Sequence, residues 1–468
     1  MLILSALQAG AQPFDSPQES DTTTTLLLGQ SLPLKGPSAQ LGREYRTGAL
    51  AWFEEVNRQG GIHGRTIKLT SLDDQYEPEK TIANTQSLLR TPALLALFGY
   101  VGTPTTKSIL PLIERERIPL IAPLSGASLL RDTNLRMVFN FRASYRMEIE
   151  QIVDSLVRDA RQNIAVVYQN DAFGRDGLAA AEAALKRHNL KPAVITTVER
   201  NSADITEAYR RVKAANPNGL IIVSAYVSSA ALSKRLLKDS HSIQIMNVSF
   251  VGSRALEDSL PSGQANGIGV SQVVPFPWNR WIPVVATYQT LMRVNNPNAR
   301  FGFTSLEGFI AAQLMSEALE RSGPDPTRER LIRALQSIRM LDVGGVTFDL
   351  NQADNQASDY VELTFSEPSN GNLEPPHPTP VDPKWSLESV PCPGMSRPHP
   401  GRDSPRLEHT VRLSSGKPRH HSHGLAAQRC HGTDRREKWT NHWCHSHSHL
   451  WQLRRIHHCA VSAPCRPD

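Results

Sequence analysis

The chain is 468 residues long, which allows two or three domains and ample length for a large core. Its formal charge of +6 comes from 51 Lys and Arg against 45 Asp and Glu, but from Ser386 onward thirteen basic and six acidic residues give +7, so the body before it carries 38 against 39, or −1. The basic balance therefore supports no nucleic-acid surface on the body, and because all five cysteines (Cys392, Cys430, Cys444, Cys459, Cys465) follow Trp385, the body has no cysteine nucleophile, no Cys-ligated metal and no internal disulfide.

Residues 1–7 are apolar and precede Ala9-Gly10-Ala11, the form of a signal-peptidase site without a basic start. Residues 1–24 are expected to be a clipped secretory signal and leader, a frayed apolar terminus being the alternative. No other apolar run reaches the roughly 20 residues of a membrane span.

Residues 26–32 read as a strand, broken by Pro33, Gly36, Pro37 and Gly42. Ala49, Trp52, Phe53 and Val56 then mark one face of a helix over 45–57, which stops at the glycines of 60–64. A strand is predicted at 66–72, ended by Asp73-Asp74, then a helix at 78–89. Residues 93–98 form an apolar run too short for a helix, so they read as a buried strand. It halts at Gly99, and Gly102, Thr103 and Pro104 open a helix over 103–114. Such a strand-to-helix turn aims free amides at an anion, although every α/β domain has turns of this kind. A short strand at 119–122, a second turn at 123–128 and a strand at 137–141 follow.

The pattern then restarts. Helices are predicted at 148–159, 173–187, 204–215 and 228–238, with strands at 164–168, 193–198, 220–224 and 245–251. Short strands alternating with helices specify parallel, doubly wound sheets, here in two tandem units. After 268–274 come two long helices, 282–293 and 305–321, with no strand between them. They need a sheet already built, so the chain is expected to return to the first lobe and make a hinge of several strands. A helix at 327–338, a Gly344-Gly345 turn and short strands at 346–350 and 360–365 complete the body. The expected division is 25–142 plus 275–335 for lobe 1, 143–274 plus 336–368 for lobe 2, and a stiff Pro-rich linker at 369–385.

Several pieces occur in a telling order: Pro33-Leu34-Lys35-Gly36-Pro37-Ser38 with Gly42, Asn57 with Gly60-Gly61-Ile62-His63-Gly64-Arg65, Asp73-Asp74, Gly99 with Thr103 to Thr106, Pro119-Leu120-Ile121-Ala122-Pro123, and Asp171-Ala172-Phe173-Gly174. With them, residues 25–365 resemble the type I periplasmic binding proteins of branched-chain amino-acid ABC transporters. The resemblance implies an α/β fold of two Rossmann-like lobes with parallel sheets, joined by three crossings and closing on a small polar ligand. It places carboxylate-binding turns at Tyr100, Gly102 and Thr103 and at Ser125, Gly126 and Ala127, both at carboxyl ends of strands, where open α/β sheets bind ligands. It matches Phe173 and Tyr226 to aromatics closing from the second lobe, with Tyr145 beside the crossing as a further candidate; lobe core or hinge packing is the competing role for each. Where amino-acid binders carry a glutamate for the ammonium, the turn 250–254 offers Arg254, which would suit a second carboxylate, unless it is a solvated rim residue and Glu257, Asp258 or Asp171 supplies the acid.

No G-x-S-x-G elbow, phosphate-binding G-x-x-x-x-G-K-[ST] or H-E-x-x-H motif occurs. Asp73-Asp74 read as a strand end and solvated turn, and His63, His188 and His241 as surface residues. Cys444, His445, His447 and His449 cluster without finger spacing. The tail 386–468 is expected to be a frameshifted or disordered extension. The resemblance therefore implies a soluble, monomeric periplasmic binder with no catalytic residue, metal or cofactor, whose partners are a small-molecule ligand and an ABC permease. A ligand-sensing ectodomain of a signalling receptor is the alternative.

Overall fold

The computed structural model describes residues 24–239, 242–261, 267–350, 355–366 and 385–388. The expected leader (apart from Thr24), the linker up to residue 384 and the tail beyond residue 388 lie outside the described residues, as does His241. All that follows concerns the first of the two units into which the chain divides, residues 1–395.

In chain order the first half comprises β1 (Thr25–Leu32), α1 (Ala39–Arg58), β2 (Thr66–Asp73), α2 (Pro78–Leu89), β3 (Leu94–Phe98), α3 (Thr103–Glu116), β4 (Leu120–Ile121) and β5 (Val138–Phe139). These strands make a five-stranded sheet in the order β2-β1-β3-β4-β5, parallel throughout. Next come α4 (Tyr145–Arg158), β6 (Ile164–Gln169), α5 (Ala172–Arg187), β7 (Ile195–Val198), α6 (Thr206–Ala215), β8 (Gly219–Val223), α7 (Tyr226–Asp239), β9 (Gln244–Asn247), α8 (Ser253–Asp258) and β10 (Gly269–Gln272). The last stretch holds α9 (Pro283–Asn295), α10 (Phe303–Ser322), α11 (Arg328–Gln336), β11 (Leu341–Asp342), β12 (Thr347–Phe348), β13 (Glu362–Ser366) and β14 (Trp385–Glu388). The second sheet is seven-stranded, β14-β13-β10-β9-β8-β6-β7. It is parallel from β10 to β7, but β13 runs antiparallel to both of its neighbours, β10 and β14. The chain enters β13 from an interlobe crossing and not from a helix, so the handed crossover that enforces parallel pairing is missing there. β14 lies where the sequence placed the junction of linker and tail.

Local chemistry accounts for the elements. All five residues of β8 are buried, as an apolar strand covered on both faces requires. Ser144 caps α4 by accepting from the Met147 amide, and Asp171 caps α5 through Phe173 and Gly174. α1 begins two turns before the sequence suggested, and Gly42 lies inside it. A Cβ there would sit 2.1 Å from the Pro33 carbonyl oxygen, so the glycine permits a close approach and does not end the helix.

After β10 the chain packs back against α1. α10 is buried on nearly every face and lies along α1, where the Trp52 indole meets Phe309 edge-on at 5.5 Å and donates to Ser316 Oγ at 3.0 Å. α11 follows it onto lobe 1, with Arg328 donating to the Leu94 carbonyl. The chain then passes back through Asn140, whose backbone pairs with Asn355 and Ala357, into β13.

Candidate functional site

The end of β3 and the end of β4 are laced side by side. Leu124 donates its amide to the Tyr100 carbonyl at 2.7 Å, and Gly102 donates to the Leu124 carbonyl at 3.1 Å. Gly102 is required between them, because its φ is +100° and a Cβ would lie 2.1 Å from Tyr76 Cε2. This lacing brings Thr103, the first residue of α3, against Ser125. Their hydroxyls lie 2.7 Å apart and both residues are fully buried. Ser125 Oγ also accepts from the Ala127 amide.

Tyr145 completes this corner. Its amide donates to the Gly126 carbonyl at 2.7 Å. Its ring is fully buried, and its hydroxyl faces Thr103 without a hydrogen bond of good geometry. Burial, opposed by Arg142, keeps the phenol well above its ordinary range, so it is a neutral donor.

Three more rings continue from Tyr145. Phe173 lies 5.0 Å from it between centroids, Phe250 lies 4.8 Å from Phe173, and Tyr76 lies 5.7 Å from Phe250. Phe173 stands in the first turn of α5 and Phe250 in the turn after β9, both on lobe 2. Tyr76 follows β2 on lobe 1, and its hydroxyl accepts from Gln169 Nε2. The lobes are closed on one another: Arg200, which also faces Asp171 of its own lobe at 3.5 Å, pairs with Glu77 at 2.8 Å, Ser38 donates to Asn201, and Ser128 donates its amide to Asp176.

Behind Tyr145 lies an ionic cluster that joins both lobes. Arg142, on the first crossing, is 1% exposed and lies 3.5 Å from Glu148 of α4 and 3.5 Å from Glu307 of α10. It also donates to the Ser249 hydroxyl. Glu148 accepts from the Ser249 amide and hydroxyl and from Ser271 Oγ. Burial pushes Glu307 up to about 7 against the pull of Arg142.

Of the residues singled out from the sequence, Thr103, Ser125, Gly126, Ala127, Gly102, Tyr145 and Phe173 come together. Tyr100 contributes only backbone, since its side chain turns into the core beside Leu97 and Ile109 and its hydroxyl meets Thr85 at 3.0 Å. Tyr226 accepts from the Gln40 amide at the lobe boundary and has no ring contact with the aromatic chain. Arg254 is engaged elsewhere: it faces Glu44 and Asp258 and donates to the Arg300 carbonyl. Asp74 is corrected from a residue of a solvated turn. It is fully buried, accepts from Ser31, Thr81 and the Tyr76 amide, and is pushed by burial up to about 6. Among the described residues no group of three or more His, Cys, Asp or Glu could hold a metal, and no helix is long and apolar enough to cross a membrane.

The sequence did not single out Tyr76, Arg142, Glu148, Phe250 or Glu307 as site residues. One signal was available: Arg142 is a lone charge ending the apolar run 137–141.

Residues 25–367 match the family model described as Periplasmic binding protein. The chain is 25% identical over 192 residues to an amino acid binding protein of Pseudomonas aeruginosa, covering 40% of this chain and 51% of that one. It thus spans about half the length of that relative. Among solved structures it is similar to a possible leucine/isoleucine/valine-binding protein from Rhodopirellula baltica, with a TM-score of 0.70, 32% identity and 74% of this chain against 96% of that one. A substrate-binding periplasmic protein from Ralstonia solanacearum matches with a TM-score of 0.70, 30% identity, 73% of this chain and 98% of that one.

Proposed function

The chain belongs to the periplasmic binding protein family, in its type I, Leu/Ile/Val-binding branch, and from that premise we propose that it captures a small polar metabolite by hinge closure and presents it to the permease of an ABC importer. The observation that carries this reading is the trio of buried hydroxyls, Thr103, Ser125 and Tyr145, enclosed where two sheets end. Thr103 and Ser125 share one hydrogen bond, which uses one of their two hydroxyl protons and leaves the other to donate to a ligand oxygen. The first turn of α3 adds free amides and the positive end of a 14-residue helix. Binding energy then comes from donors preorganised in lobe 1, while closure of lobe 2 removes water and adds selectivity. The class is an amino acid or a related carboxylate or amide. The role is binding and not turnover, and the place of action is the periplasm.

Protein purified without dialysis is expected to release a small organic acid or amide on denaturation, detected by mass spectrometry. Thr103→Ala and Ser125→Ala should each weaken its rebinding about tenfold or more, since a hydrogen bond to a charged oxygen contributes about 1.5–3 kcal/mol. Unaltered affinity in both variants would overturn the assignment.

A further inference from the structure

We propose that Tyr76 is a specificity-determining residue: a ring carried by lobe 1 that enters lobe 2 on closure and sets how long a solute the cleft accepts. The inference rests on the solute-binding reading above and goes beyond it by assigning the far wall of that site.

Tyr76 sits in a turn whose backbone is held where side chains rarely go. Gln75 and Tyr76 are consecutive non-glycine residues with φ of +54° and +63°. Two left-handed residues in succession persist only where their surroundings over-determine them. Here they do. The Tyr76 amide donates to Asp74 Oδ1 at 2.9 Å, the Gln75 amide donates to Asp73 Oδ1 at 3.2 Å, and from lobe 2 Asn201 Nδ2 donates to the Gln75 carbonyl at 3.0 Å. The turn thereby drives a phenol ring, 0% exposed, from the end of β2 in lobe 1 into the contact between the lobes.

The ring meets the hydroxyl corner on one side and lobe 2 on the other. Its edge lies against Gly102, the residue before Thr103, so closely that a Cβ there would stand 2.1 Å from Tyr76 Cε2. Its other neighbours belong to lobe 2: Phe250 at 5.7 Å between centroids, the Arg200 guanidinium at 5.8 Å from the ring centre, and Gln169 Nε2, which donates to the hydroxyl at 3.2 Å. Two buried polar atoms beside this ring, Tyr145 Oη and Gln169 Oε1, have no hydrogen-bond partner, and a bound solute supplies what such atoms lack. Burial, with Asp171 and Tyr145 adding to it, holds the Tyr76 phenol well above its ordinary range, so the wall is neutral.

A solute anchored at Thr103 and Ser125 therefore meets Tyr76 just beyond Gly102. A ring pinned by its backbone, its edge and its hydroxyl has little room to yield. Each methylene that falls short of it adds apolar contact with Phe173 and Phe250, and each that reaches it is rejected by overpacking.

The test is calorimetric titration of the full-length, extensively dialysed protein with two series of rising length: straight-chain monocarboxylates from acetate to octanoate, and straight-chain L-α-amino acids from alanine to 2-aminooctanoate. In the series that binds, affinity is expected to rise about fourfold per methylene to one maximum and then to fall about tenfold or more. Tyr76→Ala should move that maximum by about two methylenes or more and tighten the members beyond the parent's maximum about tenfold. Tyr76→Phe keeps the ring and should leave the maximum in place. Tyr76→Asn, at ease at a positive φ, should shift it as alanine does and serves where the alanine variant fails to fold. A maximum that stays in place in the shortened variants, all members changing by one factor, makes Tyr76 a packing residue and overturns the assignment. If Thr103→Ala still weakens every member in that case, the solute-binding reading stands. Where neither series binds the parent, the assignment is overturned as well, and the solute-binding reading falls with it only if no solute co-purifies.

Discussion

Arg142→Met tests whether the ionic cluster holds the lobes in register. The guanidinium is 1% exposed and faces two glutamates at 3.5 Å each, one on α4 and one on α10. Removing one partner of a buried pair costs about 3–5 kcal/mol. Two features keep the cost at the low end near pH 6. Glu148 retains the Ser249 amide, the Ser249 hydroxyl and Ser271, and Glu307, pushed up to about 7 by burial, is already mostly protonated at pH 6, so losing its partner strands little charge there. A carboxyl whose folded value is raised gives stability that is full below its unfolded value of 4.5 and is lost as pH climbs through the folded one. In the parent protein that loss ends near pH 7. In the variant the pull of Arg142 is gone, the folded value moves higher and the loss continues to pH 8. The expected penalty is therefore about 3 kcal/mol at pH 6 and about 4.4 kcal/mol at pH 8, the increment being the roughly 1.4 kcal/mol of one further unit of titration. Urea denaturation followed by circular dichroism reads both values, and Arg142→Met with Glu307→Gln should remove the increment. A penalty under 1 kcal/mol, an equal penalty at both pH values, or an increment that survives in the double variant would refute the reasoning.

Two further outcomes follow from single positions. Gly102→Ala places a Cβ against the Tyr76 ring at a φ of +100° and should destabilise the protein by about 2–4 kcal/mol; an unchanged melting temperature contradicts the required glycine. Arg200→Ala removes the pairing to Glu77 across the lobe boundary, so ligand release measured by stopped flow should quicken by up to about fivefold with little change in the unliganded melting temperature; unchanged release alongside a lowered melting temperature would make Arg200 a structural residue only.

The body's strands and helices were legible because each parallel strand is a short apolar run and each helix carries a 3.6-residue stripe. The turn at Thr103 and Ser125 was legible for the same reason, since strand ends and helix starts leave punctuation. Phe250 was not, because an aromatic after a buried strand reads as core in any sequence. The Glu44 partner of Arg254 was not legible either, because only the fold brings it from α1. Asp74 misled. Alternation along β2 separates it from Asp73 as expected, but α2 folds over it, and Thr81 joins Ser31 to fill its oxygens. Glu148 and Glu307 lie more than 150 residues apart, and no local pattern indicates that one arginine joins them.

The packing of α10 against α1 has a consequence for synthesis. When the ribosome has released the first 300 residues, the first sheet is complete, yet α10, whose Phe309 packs against Trp52 of α1, has not emerged. The second sheet likewise waits for β13, which supplies the partner of β10. Neither lobe is an autonomous vectorial folding unit, so the nascent chain carries two half-covered sheets until its last elements appear, the state in which chaperone or translocase capture is most effective.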